Sequence, residues 1–183
     1  MIADILKHQT KELHDSVELK FNSSKIFQDD YTSDDYRKLL TFNYIFLKTF
    51  EQPVFRLLSE KYGDMLMLRH RRKLHLFDLE REDVISSGDD IHEIEVNCEA
   101  EALGILYVME GSTLGGTMIA KKLEGNPHFS DKTFPYFRCY GERTGSMWKN
   151  FRFVLNDVVR EEEHDQVLIG AEKAYHFLLG LPD

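Results

Sequence analysis

Lys7, Lys11, His14 and Glu18 are spaced so that one helix would present them together. With Ile2 at 0° and about 100° per residue, Ile5, Leu6, Gln9, Leu13 and Val17 share a stripe, with Phe21 at its margin. His14 falls at roughly 120°, on the border of that stripe, where it can face an apolar cavity. Lys7, Lys11 and Glu18, at i−7, i−3 and i+4, project on the same side. Imidazole is a good axial donor to iron. Glu18, one turn away, can accept the other ring N–H and raise the basicity of the ligand. Lys7 and Lys11, about 10 Å and about 5 Å along the axis, can meet carboxylates. The ligand that suits such a set is a flat apolar macrocycle carrying a metal and two carboxylates. The plain alternative is a boundary histidine beside a solvated charged face.

A second segment, Leu103 to Gly116, carries Gly104, Gly111, Gly115 and Gly116 in an otherwise apolar helical pattern. Each interior glycine costs about 1 kcal/mol relative to alanine, so several together need a reason. Gly111 and Gly115, four apart, can seat a neighbouring helix. Alternatively, a ligand can lie flat against the side-chain-free backbone, and paired glycines can let the helix bend. A phosphate loop does not fit, because no Gly-Lys-Ser/Thr follows and no strand precedes.

The elements that must position these groups read as helical nearly everywhere. The periodicity predicts helices over about Ala3 to Lys20, Tyr36 to Tyr62, Glu93 to Leu123, Met147 to His164, and a last one to Leu179. Thr32-Ser33-Asp34-Asp35 resembles a capping box opening the second. Pro53 is expected to kink or split it, and Gly63 to close it. Breaks are expected at Ser86-Ser87-Gly88-Asp89-Asp90 and at Gly125-Asn126-Pro127. Without an alternating run, a repeat or a linker, the expectation is one all-α domain over 1–183.

Composition agrees with a packed chain: 183 residues, 42% hydrophobic, 30% charged, with few prolines. A net charge of −9 argues against non-specific nucleic-acid or anionic-membrane binding. The apolar run Ala102 to Met109 is far too short to span a membrane. The first residues lack the features of a signal peptide, and Cys98 and Cys139 form no CxxC or disulfide framework. A cytoplasmic setting is expected, with both cysteines and the residues Tyr107 and Met109 in the core.

The stretches Leu6 to Glu18 and Leu106 to Gly116, with a weaker match at Tyr140-Gly141 and Trp148-Lys149-Asn150-Phe151, resemble the heme oxygenase family. The resemblance is to its bacterial, biliverdin-forming branch, often associated with bacteriophytochromes. It implies an all-helical fold holding heme, at once cofactor and substrate, between a proximal and a distal helix. His14 would be the proximal iron ligand, supported by Glu18, with Lys7 and Lys11 near the propionates. Gly111, Gly115 and Gly116 would be the distal glycines, and Lys149 and Arg152 further propionate partners. The implied reaction opens heme to biliverdin, carbon monoxide and iron with dioxygen and an external electron donor, such as a ferredoxin or flavin reductase. Animal-type members carry an aspartate directly after the first distal glycine; Ser112 stands there in this chain. Proton delivery would then rest on backbone groups, water, Ser112 or Thr113.

Two rivals come from other classes. A non-catalytic heme carrier or sensor would keep the same pocket. A di-iron oxidase would need two Glu-x-x-His pairs, and the chain offers only Glu161-Glu162-Glu163-His164, which reads as a solvated face. Arg69 to Lys73, with His70 and His75, reads as a solvated basic face, or as an attractor for an acidic electron donor.

Overall fold

The computed structural model describes residues 1–28, 30–85 and 94–182. Among them there is no strand; the helices are α1 (Ile2–Gln9), α2 (Lys11–Lys20), α3 (Ser33–Tyr62), α4 (Glu99–Glu124), α5 (Thr144–Val158) and α6 (His164–Gly180). Short 3-10 segments lie between them, among them Leu68–His70, Leu74–Asp83 and Glu161–Glu163. The all-α expectation holds.

The first helix is not continuous. Thr10, at φ −96° and ψ 6°, separates α1 from α2. Its buried hydroxyl donates to Leu6 O at 2.8 Å, satisfying a carbonyl at the break. The helical spacing survives because the chain resumes at once, and the His14 N–H donates to Thr10 O at 2.9 Å.

The capping box at Thr32 is present. Asp35 N–H donates to Thr32 Oγ1 at 3.2 Å, and Thr32 N–H to the Asp35 carboxylate at 2.8 Å. Of the kink or split expected at Pro53, the split does not occur: α3 runs uninterrupted for 30 residues. Proline removes one backbone donor. Phe50, Val54 and Phe55, all within 1% of full burial, supply packing on both sides that outweighs that loss.

α4 is the central helix, packed most extensively on α6 and also on α3 and α5. It begins at Glu99, six residues later than expected; Glu93 and the expected break at 86–90 lie outside the described residues. Alone among the described helices, α4 is long and apolar enough to cross a membrane, yet most of its apolar stretch is buried inside the fold. Its crossing with α6 is set by glycines. A methyl group at Gly104 would lie 1.9 Å from Val167 O, and one at Gly170 would lie 2.0 Å from Glu101 O. The two backbones therefore touch, and Glu101 adds an ion pair to Lys173.

The helix expected to reach His164 stops at Val158. Val159 is extended, and Glu163 accepts from the Arg160 N–H at 3.0 Å to open a new turn. Glu161 and Glu162 are exposed, and Glu163 pairs with Arg160, so the lone Glu-x-x-His does not gather ligands.

Candidate functional site

A cleft of about 710 Å³ lies between α1–α2 on one side and α4 on the other, within the usual range of about 300–1,000 Å³ for small-molecule sites. Lys7, Lys11, His14 and Glu18 line it from the first pair of helices. Gly111, Ser112, Gly115 and Gly116 line it from α4, and Arg152 from α5. Lys149 is exposed and does not line this cleft. It lies on α5 one turn before Arg152.

The His14 side chain is half exposed, with its ring edge-on to Tyr175 at a centroid distance of 6.2 Å. Its Nδ1 lies 3.7 Å from Asp15 Oδ1, and its Nε2 lies 3.8 Å from Glu18 Oε1. Both separations suit an ion pair and exceed a hydrogen bond, so the expected Glu18 acceptor is adjacent but not bonded. Asp15 also takes Lys11, an ion pair that occupies the lysine expected to meet a carboxylate. Because that pair is well exposed, an incoming anion can compete for Lys11 at small cost. Arg152 pairs with Asp4 at 3.1 Å, tying α5 to α1 beside the cleft. Among the described residues, His14, Asp15 and Glu18 are the one group with metal-ligating atoms clustered within 4.8 Å.

The four glycines of α4 divide by what lies opposite each. Gly104 seats α6, as above. A methyl group at Gly115 would meet nothing within 4 Å, and one at Gly111 only the Trp148 ring edge at 3.8 Å. Gly116 backs onto Phe137, whose ring and backbone would lie 3.3–3.4 Å away, so it serves packing as well as lining. Gly111 and Gly115 therefore do not seat a helix; they leave bare backbone facing the cleft, which fits a flat ligand pressed against it.

Gly115→Ala is expected to stabilise the ligand-free protein by up to about 1 kcal/mol, through helix propensity in open space. The same methyl group should weaken binding of a flat ligand. Thermal unfolding and a hemin titration check both halves; a destabilised protein, or unchanged hemin affinity, would contradict this account of the glycine.

Several lining residues escaped the sequence pattern. Tyr136 and Asn43 face the cleft, with the Tyr136 hydroxyl donating to Asn43 Oδ1 at 2.9 Å. Burial pushes the Tyr136 and Tyr107 phenols above the ordinary tyrosine range, and Tyr175 up to about 12. These groups stay neutral hydrogen-bonding partners at ordinary pH. Ser112 donates to Met109 O at 2.9 Å, and Thr113 to Glu110 O at 2.7 Å, so both hydroxyls are anchored on their own helix. Tyr107, expected in the core, is buried but lines the cleft, whereas Met109 is core.

Cys139 also lines the cleft, half-buried rather than in the core. Burial pushes its thiol up to about 11, against an opposing pull from Lys73. Thiols ligate as thiolates, so this one is poorly disposed to compete with imidazole. Cys98, also half-buried, precedes α4.

The basic run divides as well. Arg69, His70, Arg72 and His75 are exposed, but Arg71 and Lys73 are fully buried, and both pair with buried Glu110. A solvated basic face therefore describes only part of this segment. A carboxylate directly after the apolar run Ala102 to Met109 was the available signal, because a buried glutamate demands cations from elsewhere.

The heme oxygenase family model matches residues 1–76 and 79–180. The chain belongs to the heme oxygenase family. The heme oxygenase of Neisseria meningitidis, solved with NO and CO bound, superposes with a TM-score of 0.74 at 23% identity, covering 98% of this chain and 88% of that one. No curated protein matches the sequence. In this heme oxygenase family member, the matched residues include both α2, with His14, and α4, with its cleft-facing glycines.

Proposed function

We propose that the chain is a heme oxygenase that opens heme to biliverdin, releasing carbon monoxide and iron, with dioxygen and electrons from an external donor. The observation that carries this is the cleft lined by His14 from α2 and by bare backbone at Gly111 and Gly115 from α4. Bound heme supplies the iron that takes dioxygen and the meso carbon that is oxidised.

The protein's own groups have distinct tasks. His14 would hold the iron through a ring nitrogen. Asp15 and Glu18 stand 3.7 and 3.8 Å from its two ring nitrogens, and the one facing the nitrogen that does not hold iron would close on that N–H and support the basicity of the ligand. Lys7, with Lys11 once released from Asp15 and Arg152 once released from Asp4, would meet the two propionates and fix the rotation of the ring, and hence which edge reacts. Gly111 and Gly115, without side chains, would leave room beside bound heme and present backbone dipoles to it. Tyr136, Asn43 and Ser112 add neutral polar groups on the cleft wall, where water can be ordered in place of the missing aspartate. The reductant is an acidic one-electron protein or a flavin reductase, and the product suits a bacteriophytochrome chromophore.

Hemin added to the purified protein should give a sharp Soret band of imidazole ligation. Reductant under air should then replace it with the broad biliverdin absorption. A spectrum that stays that of intact heme through repeated reduction would reduce the function to that of a carrier or sensor.

A further inference from the structure

Immediately before Gly111, and buried away from the cleft, Glu110 is the meeting point of four parts of the fold. One of its carboxylate oxygens takes Arg71 Nη1 and the other takes Lys73 Nζ. The Tyr140 hydroxyl donates to both, at 2.9 and 3.1 Å. Glu110, Arg71 and Lys73 are each no more than 1% exposed. Arg71 reaches α5 through Met147 O and Asn150 Oδ1, both at 3.0 Å. Lys73 reaches α3, because its N–H donates to Glu51 Oε2 at 2.6 Å, with Leu74 N–H on the same oxygen at 3.0 Å. Tyr140 follows Tyr136, Phe137 and Cys139, which line the cleft.

One carboxylate against two cations is an expensive choice for stability alone. Each ion loses several kcal/mol of hydration on burial, and a well-packed apolar cluster would do as well. The return is geometric: directional, charge-assisted bonds admit one arrangement of the parts they join, whereas apolar packing tolerates several. Those parts are the pieces of the cleft wall opposite His14. α4 brings Gly111 and Gly115, α5 brings Trp148 and Arg152, and the 134–140 segment brings Tyr136 and Cys139. Burial works against the charge on Lys73, but Glu110, Tyr140 and Cys139 together more than offset it, so Lys73 stays cationic at ordinary pH.

We propose that Glu110, clamped by Arg71, Lys73 and Tyr140, is a positioning residue that holds the glycine-bearing wall of the cleft in one register. This deepens the proposed function and rests on it for the meaning of that wall. Glu110 touches no ligand and acts through Gly111 and its neighbours.

The test uses the full chain with Glu110→Gln and Tyr140→Phe. In ligand-free protein, hydrogen exchange at the amides of residues 111–116 is expected to rise about tenfold or more in both variants, with α6 little changed. With hemin, reductant and CO, the C–O stretching band should be broader than that of the wild type, or split. Exchange that matches the wild type at 111–116, or that rises uniformly along the chain, would overturn the proposal. So would a C–O band of unchanged position and width. If Glu110→Gln fails to fold, Tyr140→Phe decides the matter, because it leaves no charge unpaired. The exchange experiment needs no heme, so a wild-type chain that refuses hemin would defeat the proposed function while leaving this clamp separately measurable.

Discussion

Replacing His14 with alanine is expected to abolish the imidazole-type Soret band and to lower hemin affinity on the order of 100-fold. Altering residues that merely support a metal ligand commonly costs about 10–100-fold, and losing the ligand should reach at least the top of that range. Hemin should still enter the variant's cleft weakly, because the apolar and cationic lining remains. Free imidazole, added at millimolar concentration, should refill the vacated volume and restore the band in part. The measurement is a hemin titration followed by absorption, with and without imidazole. An unchanged spectrum and affinity in the variant would assign the iron to another side chain and undo the account of α2. Glu18→Gln gives a useful comparison. Its carboxylate stands 3.8 Å from the ring, so a shifted spectrum with the ligand retained is the expected result.

Gly104→Ala is expected to destabilise the protein by about 3 kcal/mol, the upper end of what overpacking ordinarily costs. The added carbon would fall 1.9 Å from Val167 O and 2.8 Å from Ala171 N, both backbone atoms that cannot rotate aside. α4 and α6 would have to separate along their contact, loosening the core around Ala171 and Ala174. For a chain of this size the melting temperature should fall by about 6–12 °C. The contrast with Gly115→Ala is the sharper observation: the same substitution, eleven residues further along the same helix, should raise stability. A melting temperature at Gly104→Ala equal to that of the wild type would mean that the two helices do not meet backbone to backbone.

That contrast also marks how far the sequence could be read. Four glycines in an apolar helix announce that something approaches closely, but residue type is identical at 104, 111 and 115. The four-residue spacing of Gly111 and Gly115 points to helix packing there, whereas the packing pair is Gly104 with Gly170. The basic run shows the same limit. Arg71 and Lys73 alternate with exposed Arg72, and nothing in five consecutive residues says which two turn inward. Their partner Glu110 lies 37–39 positions away. Pro53 and Thr10 differ in the opposite direction, because local rules predict a kink or split at the proline and nothing at the threonine, yet the helix ends at the threonine and continues through the proline. The buried neighbours of Pro53 keep α3 continuous, and a hydroxyl bond to Leu6 settles the chain at Thr10.

From the sequence by itself came the helical class, the grouping of Lys7, Lys11, His14 and Glu18 on one side, and the glycine-bearing helix as the second wall. These follow from the period of about 3.6 residues per turn, a property of a single helix that needs no neighbour. Only the tertiary structure decided which glycines face a ligand and which face α6, that Lys149 leaves the cleft while Tyr136 and Asn43 enter it, and that two of the basic residues are interior. Each of those outcomes depends on what stands opposite a residue. In a packed interior that is chosen by volume and by the pairing of buried charge across the whole chain, not by adjacency along it.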